Sequence, residues 1–416
     1  MRILIVCPVF PPEPLVSART SYQVAMEMAR RGHDVTVVTA FPNRPAGKLY
    51  PGYKRHLFQS EQDENGFRVF RCFAVLSPRS SMLSRFMENL SFGVVSGWVC
   101  LFQPHTDVIY SITWPIFATT ILYWIARLRN IPIVGSIQDV YPESLISQKR
   151  ITPNSLIARI FCWIDGWVAR GSQAIILISE RFVTLYRDQR RVPMSKIHVI
   201  PNWMDSRSVS LEISRQVFRA KKGIADDQFL IVYAGNISVA AGVDTVVRAM
   251  VGLNQDKVCL LIAGSGSQLD RCQKLASTFS PQNVIFHSPW LQSEYSEVLR
   301  SADILILPTQ GDQSLVSVPS KLISYLLSAR PVLALACPDS ELAQVIRSVQ
   351  CGWVVDPDRP DLCAEMIQEI CAYPCEQLEA MGARGRQYVL SNLTDEVNLP
   401  RVADLLEKAA QEYVRN

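Results

Sequence analysis

Apolar residues fall into short runs separated by helix-period stretches along most of the chain. Ile3 to Val6 is the first run; a Pro-rich turn follows, and Ala18, Tyr22, Ala25, Met26 and Ala29 then recur at helical spacing behind Ser17, the expected N-cap. Gly32 closes that helix and Val35 to Val38 supplies the next strand, the right-handed crossover of an open parallel sheet. Further strands are predicted at Val108 to Ser111, Ile131 to Ile137 and Ala174 to Ile178. The pattern fades over the polar, basic stretch from Ser206 to Gly223 and then restarts. Strands are predicted at Leu230 to Ala234, Val258 to Ala263, Val284 to His287, Ile304 to Leu307, Val332 to Ala334 and Trp353 to Val355, with helices around Val243 to Met250 and Leu269 to Phe279. This is the pattern of two doubly wound α/β domains joined near Pro201 to Ser210, each offering a ligand crevice at the carboxyl ends of its strands.

A length of 416 residues exceeds what one core supports, in keeping with two domains. A hydrophobic content of 48% excludes a disordered chain. The net charge of +4 is too small to indicate a nucleic-acid partner, but it is unevenly spread: residues 1–205 carry 23 basic and 14 acidic side chains, net +9, and the remainder is net −5. The 11 cysteines are scattered without a CxxC pair, so reduced core thiols in a cytoplasmic protein are expected. The apolar run at the N-terminus is too short for a signal-peptide core, so the mature chain is expected to begin at Met1. Asn89 to Thr106 and Val108 to Ala126 lack Asp, Glu, Lys and Arg, yet Ser96, Gln103, Pro104, Ser111 and Thr113 argue against membrane spans. The first of these, with Met82, Leu83, Phe86, Leu90, Phe92 and Trp98 beside Arg79 and Arg85, reads either as an interfacial membrane helix or as an internal one.

The turn from Pro8 to Arg19 lacks GxGxxG, which argues against a nicotinamide or flavin pyrophosphate; no cofactor is expected. Arg19, one turn into the first helix, suits a phosphate or sugar hydroxyl, or is a solvated charge. Asp139 and Glu143, in the string SIQDVYPES after a predicted strand, suit orientation of a sugar hydroxyl or general-base work; helix capping is the alternative, more readily for Glu143. Gly235, Asn236 and Gly242, and then Gly264, Ser265 and Gly266, lead from strands into helices as anion sites or as tight turns. Lys321 follows Pro319 and Ser320 as the lone charge between Gln313 and Ala329, a position that calls for an anion. Asp356 and Asp358 have the form of a DxD metal motif, but a turn before a helix near Asp361 is favoured and no metal is expected.

The strings PPEPLVSARTSYQVAMEMARRGHDVTVVTAFPNRPAGKLYPGYK, QDVYPES, IPNWMD, YAGNIS, LIAGSGSQ and PSKLISYLLSARPVLAL resemble, in this order, family 4 glycosyltransferases. The resemblance covers nearly the whole chain and lies nearest the bacterial surface-polysaccharide branch with fucosyl and N-acetylfucosaminyl transferases. It implies a GT-B fold of two Rossmann-like domains facing a cleft: 1–205 for the acceptor, 206–396 for the nucleotide-sugar donor, and a C-terminal helix, 397–416, crossing back to the first domain. It implies metal-independent transfer, with retention, from a nucleoside diphosphate sugar. A lipid-linked or saccharide acceptor and a peripheral position at the inner face of the cell membrane are the expected setting, since the net +9 of residues 1–205 suits docking on anionic lipid. Carried over by position, Gly235, Asn236, Ser320, Lys321 and Leu322 line the donor diphosphate. Gly264 to Gly266 and His287 to Leu291, including Pro289 and Trp290, fall where the family holds base and ribose. Asp139 and Lys321 become the catalytic candidates, with Arg19 and Glu143 on the acceptor side.

The chain departs from the family at several of these positions. Gln138 stands where many members have a His, Leu15 and Val16 replace paired glycines, and Asn236 and Ala241 replace an Arg and a Lys. The family's two Glu positions fall on Val316 and Ser324, which makes Ser324 a candidate ribose contact and leaves Asp312 and Gln313 as candidates for the donor sugar. A nucleotide-sugar epimerase of the same layout and an inactive scaffold are the competing functions.

Overall fold

The computed structural model describes residues 1–44, 47–76, 81–113, 116–147, 149–253, 257–279, 283–316 and 319–415, so Arg79 lies outside the described residues. The chain forms two units, Met1–Asn202 with Glu396–Asn416, and Trp203–Asp395. All 11 cysteines are free thiols, and most are buried.

The first unit runs β1 (Arg2–Val6), α1 (Val16–Arg30), β2 (Asp34–Ala40), β3 (Phe58–Gln62), β4 (Arg68–Cys72), α2 (Met82–Leu101), β5 (Val108–Ile112), α3 (Ile116–Leu128), β6 (Ile133–Ile137), α4 (Glu143–Ser147), α5 (Leu156–Gly171), β7 (Ala174–Leu177), α6 (Glu180–Thr184) and β8 (Ile197–Val199). Its 8-stranded sheet has the order β3-β4-β2-β1-β5-β6-β7-β8. Every pairing is parallel except that of β3 with β4. Strands β5, β6 and β7 are buried along their whole length because helices cover both faces, so they need apolar or small residues on both. The order reverses between β1 and β5, which opens a crevice at their carboxyl ends.

Two local features differ from the sequence reading. The first helix starts at Val16, with Leu15 in the cap position and no side-chain cap bond, so Ser17 is not its N-cap. The β3–β4 hairpin escaped the apolar pattern because β3, reading FQSEQ, is mostly exposed at the sheet edge.

The second unit runs α7 (Arg215–Lys222), β9 (Phe229–Ala234), α8 (Val243–Ala249), β10 (Val258–Ala263), α9 (Leu269–Phe279), β11 (Val284–His287), α10 (Tyr295–Ser301), β12 (Ile304–Pro308), α11 (Gln313–Val316), α12 (Lys321–Leu327), β13 (Val332–Leu335), α13 (Glu341–Val349), β14 (Gly352–Val355), α14 (Pro360–Ile370) and α15 (Cys375–Asn392). Its 6 strands are parallel in the order β11-β10-β9-β12-β13-β14, reversing between β9 and β12. Each unit is thus a Rossmann-like doubly wound domain.

The basic stretch before β9 forms α7, which buries Phe218 and the whole of Arg219. The Asp303 carboxylate, just before β12, accepts from the guanidinium groups of Arg215 and Arg219 and from the Leu230 amide, each at 2.7 Å. Arg219 also donates to the carbonyls of Ser301 and Gln228, both at 2.9 Å. This network ties α7 to the starts of β9 and β12.

The last helix, α16 (Asp395–Arg415), packs on the first unit. Arg31, at the end of α1, pairs with Asp404 at 2.7 Å and Glu407 at 3.2 Å, and His33 reaches Glu407 at 2.9 Å. Tyr413 donates to Asn130 at 2.8 Å.

Candidate functional site

In the second unit the loops after β9, β10, β11 and β12 converge at one end of the sheet. The Gly264 amide donates to the His287 carbonyl at 3.1 Å, and the Gln310 amide to the Ala240 carbonyl at 3.1 Å. A Cβ on Gly264 would lie 1.9 Å from the Gly235 carbonyl oxygen, and one on Gly266 2.3 Å from that of Ile237, so these glycines are required by loop-on-loop packing. Gly235 has φ +141°, and a Cβ there would lie 2.2 Å from Lys321 Cε. The absent side chain is therefore the space that the lysine occupies.

Lys321 opens α12 and lays its chain across that gap. Its ammonium donates to the Tyr233 hydroxyl at 2.7 Å and the Asn236 carbonyl at 3.4 Å, and stands 4.7 Å from the Tyr233 ring centre. Among the described residues no carboxylate pairs with it. Desolvation lowers its pKa to about 8. Tyr233 passes the contact on, donating to the Asn236 carbonyl at 2.6 Å. Tyr325, one turn further along α12, accepts from the Ala234 amide at 2.8 Å and donates to the Ala234 carbonyl at 3.1 Å, which pins the end of β9.

The other donor-side candidates are placed unequally. Asn236 is exposed beside Gly235, and Ser320 is partly exposed beside Lys321. The Leu322 amide already donates to the Pro319 carbonyl at 3.0 Å, and its side chain is buried. Ser324 is fully buried, its hydroxyl donating to the Lys321 carbonyl at 2.9 Å. The Val316 side chain lies outside the described residues. Pro289 is exposed after a cis peptide, and Trp290 packs on Tyr295 with ring centres 5.3 Å apart. Asp312 is 3.7 Å from the Cys337 sulfur. Asp358 accepts from the Gly311 amide at 2.9 Å, a loop-fixing role.

In the first unit a hollow of about 340 Å³ opens at the crevice beside β1 and β5, lined by Pro8, Val9, Leu15, Ser17, Arg44, Ile112, Gln138 and Asp139. Asp139 is reached by solvent, yet the protein crowded around its carboxyl raises its pKa. Gln138 is fixed at both ends, donating to Ser136 at 3.0 Å and accepting from Asn202 at 2.8 Å. Glu143 lies elsewhere: its two oxygens accept from Arg190 at 2.8 and 2.7 Å, in a buried cluster where Arg190 also holds Asp165 at 2.9 Å. Arg19 is exposed and is not among the residues lining the hollow.

The sequence reading missed Glu13 and Arg44. Buried Glu13 accepts from the amides of Phe10 at 3.2 Å, Asn43 at 2.9 Å and Arg44 at 2.7 Å, joining the loops after β1 and β2. Arg44 is held in turn by Glu88 at 2.5 Å. Desolvation, outweighing those amides, raises the Glu13 pKa from 4.5 to about 7. The unfolded carboxyl then loses its proton first, so folding stability falls as pH rises from 4.5 to about 7. Glu13→Gln retains an acceptor that cannot ionise, and is expected to reduce that fall when urea midpoints are compared across this window.

Two Rossmann-like sheets, parallel but for the β3–β4 edge and each with candidate site residues at the carboxyl ends of the strands beside the switch point, define the GT-B class. Residues 17–203 match the Glycosyl transferase 4-like domain and residues 214–388 match Glycosyl transferases group 1, so the chain is a glycosyltransferase of the GT-B type. It is similar to the probable glycosyltransferase WbjE of Pseudomonas aeruginosa, 21% identical over 64% of this chain and 66% of that protein. It is also similar to WcaI of Escherichia coli strain K12, named as a colanic acid biosynthesis glycosyl transferase, at 22% identity over 83% and 86% of the two chains. Among solved structures, WaaG, a glycosyltransferase involved in lipopolysaccharide biosynthesis, superposes with TM-score 0.71 at 17% identity over 97% of this chain and 99% of that one. Anabaena HepE in complex with UDP and glucose gives TM-score 0.70 at 13% identity, covering 98% and 99%. These relatives do not favour the epimerase or scaffold reading.

Proposed function

We propose that the protein transfers a sugar, with retention of anomeric configuration and without a metal, from a nucleoside diphosphate sugar to a lipid-linked or saccharide acceptor in surface-polysaccharide biosynthesis. The observation that carries this reading is the ammonium of Lys321, half-buried with no carboxylate partner among the described residues and seated against Gly235 at the carboxyl end of β9. A desolvated cation in that position is compensated by an anion, and a diphosphate satisfies it. The UDP and UDP-glucose complexes of HepE support the donor class, and the name of WcaI supports the polysaccharide setting. Donor binding belongs to Trp203–Asp395, and the hollow beside Asp139 receives the acceptor.

In the proposed reaction the acceptor hydroxyl oxygen bonds to the anomeric carbon on the face from which the diphosphate leaves. The bond from that carbon to the diphosphate oxygen breaks, and the departing oxygen takes the hydroxyl proton. Lys321 stabilises the charge growing on the leaving group, and Asp139 orients the acceptor hydroxyl. With the Leu322 amide and the Ser324 hydroxyl engaged inside the fold, the grip on the diphosphate rests on Lys321, Ser320 and the Gly235–Asn236 turn.

Incubation with a panel of nucleoside diphosphate sugars and membrane lipid extract, read by mass spectrometry, tests the proposal; fucosyl and N-acetylfucosaminyl donors come first. The expected result is a lipid one glycosyl unit heavier together with free nucleoside diphosphate. Isomerised donor in the absence of acceptor would contradict it. A lipid-linked acceptor places the protein at the inner face of the membrane, where the net +9 of residues 1–205 favours attachment.

A further inference from the structure

We infer that α2, α3 and α5 together form a docking face that inserts aromatic side chains into an anionic lipid surface, an inference that rests on the membrane-bound acceptor proposed above and specifies how the protein meets it. The three helices follow crossovers that run in one direction along the sheet, so they lie side by side on one face of it. Gly93 and Gly97 let α2 close on α3: a Cβ on Gly93 would lie 2.7 Å from Ala118 Cα, and one on Gly97 2.8 Å from Ile125 Cδ1. The inner side of the layer is core, with Phe92, Val95 and Val99 of α2 and Leu122 and Ala126 of α3 buried against the sheet.

The outer side is apolar as well. Trp98 on α2, Trp124 on α3 and Trp163 on α5 are 58%, 61% and 64% exposed. Leu83, Val94 and Phe102 extend the stripe along α2 and just past its end, Leu128 extends it on α3, and Leu156 and Ile160 on α5. The rings are continuous across the helices: Phe86 to Phe117 is 5.0 Å and Phe117 to Phe161 5.5 Å, while Trp167 is 5.1 Å from Trp124 and 6.2 Å from Trp163. A surface this apolar is rarely left to water, and exposed tryptophans are the side chains that settle at a lipid headgroup boundary.

Charge selects the occupant. The only carboxylates on the three helices are Glu88, which accepts from Arg44 and Arg85, and Asp165, which accepts from Arg190 and Tyr186. Arg127 and Arg159 stay exposed on the same helices, and Lys149 and Arg150 just ahead of α5. The face thus combines exposed tryptophans with unopposed basic residues, which complements anionic lipid headgroups. Among the described residues no helix is long and apolar enough to cross a membrane, so the contact is interfacial.

The test is flotation of the full chain with phosphatidylcholine vesicles containing about 30% phosphatidylglycerol, or none, alongside nucleoside diphosphate binding to the same preparations. Wild type is expected to float with the anionic vesicles and to lose about tenfold in partitioning when Trp98, Trp124 and Trp163 are all changed to Ser, or when anionic lipid is omitted. Brominated lipid is expected to quench the fluorescence of wild type and not that of the triple variant. Arg127→Glu with Arg159→Glu gives a second variant that leaves the apolar stripe intact, and weaker flotation is expected for it too. Nucleotide binding by each variant is expected to match wild type. The inference is overturned if wild type stays behind, if the triple variant floats equally well, or if lipid-free wild type is a dimer that the triple variant abolishes. Vesicle binding without nucleotide binding would uphold this face and sink the transferase reading; the reverse pattern would do the opposite.

Discussion

Lys321→Ala is expected to lower sugar-transfer turnover by about tenfold or more, the scale of losing one preorganised charge contact on a leaving group. Its ammonium has no carboxylate partner among the described residues, so a bound diphosphate meets a cation whose charge is not already neutralised. Gly235→Ala is expected to reproduce much of the loss without touching the charge, because the new Cβ would fall 2.2 Å from Lys321 Cε. The effect carries a pH signature. With the free lysine titrating at about 8, the ammonium is intact below that pH and is lost above it, so nucleoside diphosphate affinity falls as pH rises through about 8. Binding the anion raises the lysine pKa, so the fall continues until that higher value is passed. Lys321→Ala is expected to be weak at every pH and flat across this range; near-wild-type turnover in that variant would remove Lys321 from the chemistry.

Asp303→Ala is expected to be the most damaging change to stability, at about 3–5 kcal/mol, because it strands two guanidinium groups and a strand-end amide in the interior. Arg219 is fully buried and Arg215 partly so, and neither finds another carboxylate among the described partners. A leftward shift of the denaturation midpoint, followed by circular dichroism, is the readout. Asp303→Asn retains an acceptor oxygen and is expected to fall between wild type and the alanine variant. No loss of stability in Asp303→Ala would mean that the network contributes only geometry.

The sheets were legible in the sequence because strands covered on both faces need nearly continuous apolar runs, as in Val108 to Ile112, interrupted only by the small Ser111, and Val258 to Ala263. The β3–β4 hairpin was not, since an exposed edge strand has no apolar face to announce it. Lys321 stood out as a single charge in an uncharged stretch, and its burial against Gly235 explains the pattern. The state of its neighbours was not readable: whether the Leu322 amide or the Ser324 hydroxyl is available depends on where each hydrogen bond goes, and both turn inward. Glu13 escaped for the same reason, its three amide partners lying in loops after two different strands. The apolar outer face of α3 was invisible because a helix with apolar residues on nearly every side reads as core, and only exposure shows that Trp124 points away from it.

A diphosphate is expected to dock beside Gly235 on the Lys321 ammonium without divalent metal. Titration calorimetry of nucleoside mono- and diphosphates into the full chain, with a chelator present throughout, is the decisive measurement. The expected result is binding that requires the diphosphate, persists under chelation and is lost in Lys321→Ala. Binding that vanishes with the chelator, or is unchanged in the variant, would contradict it.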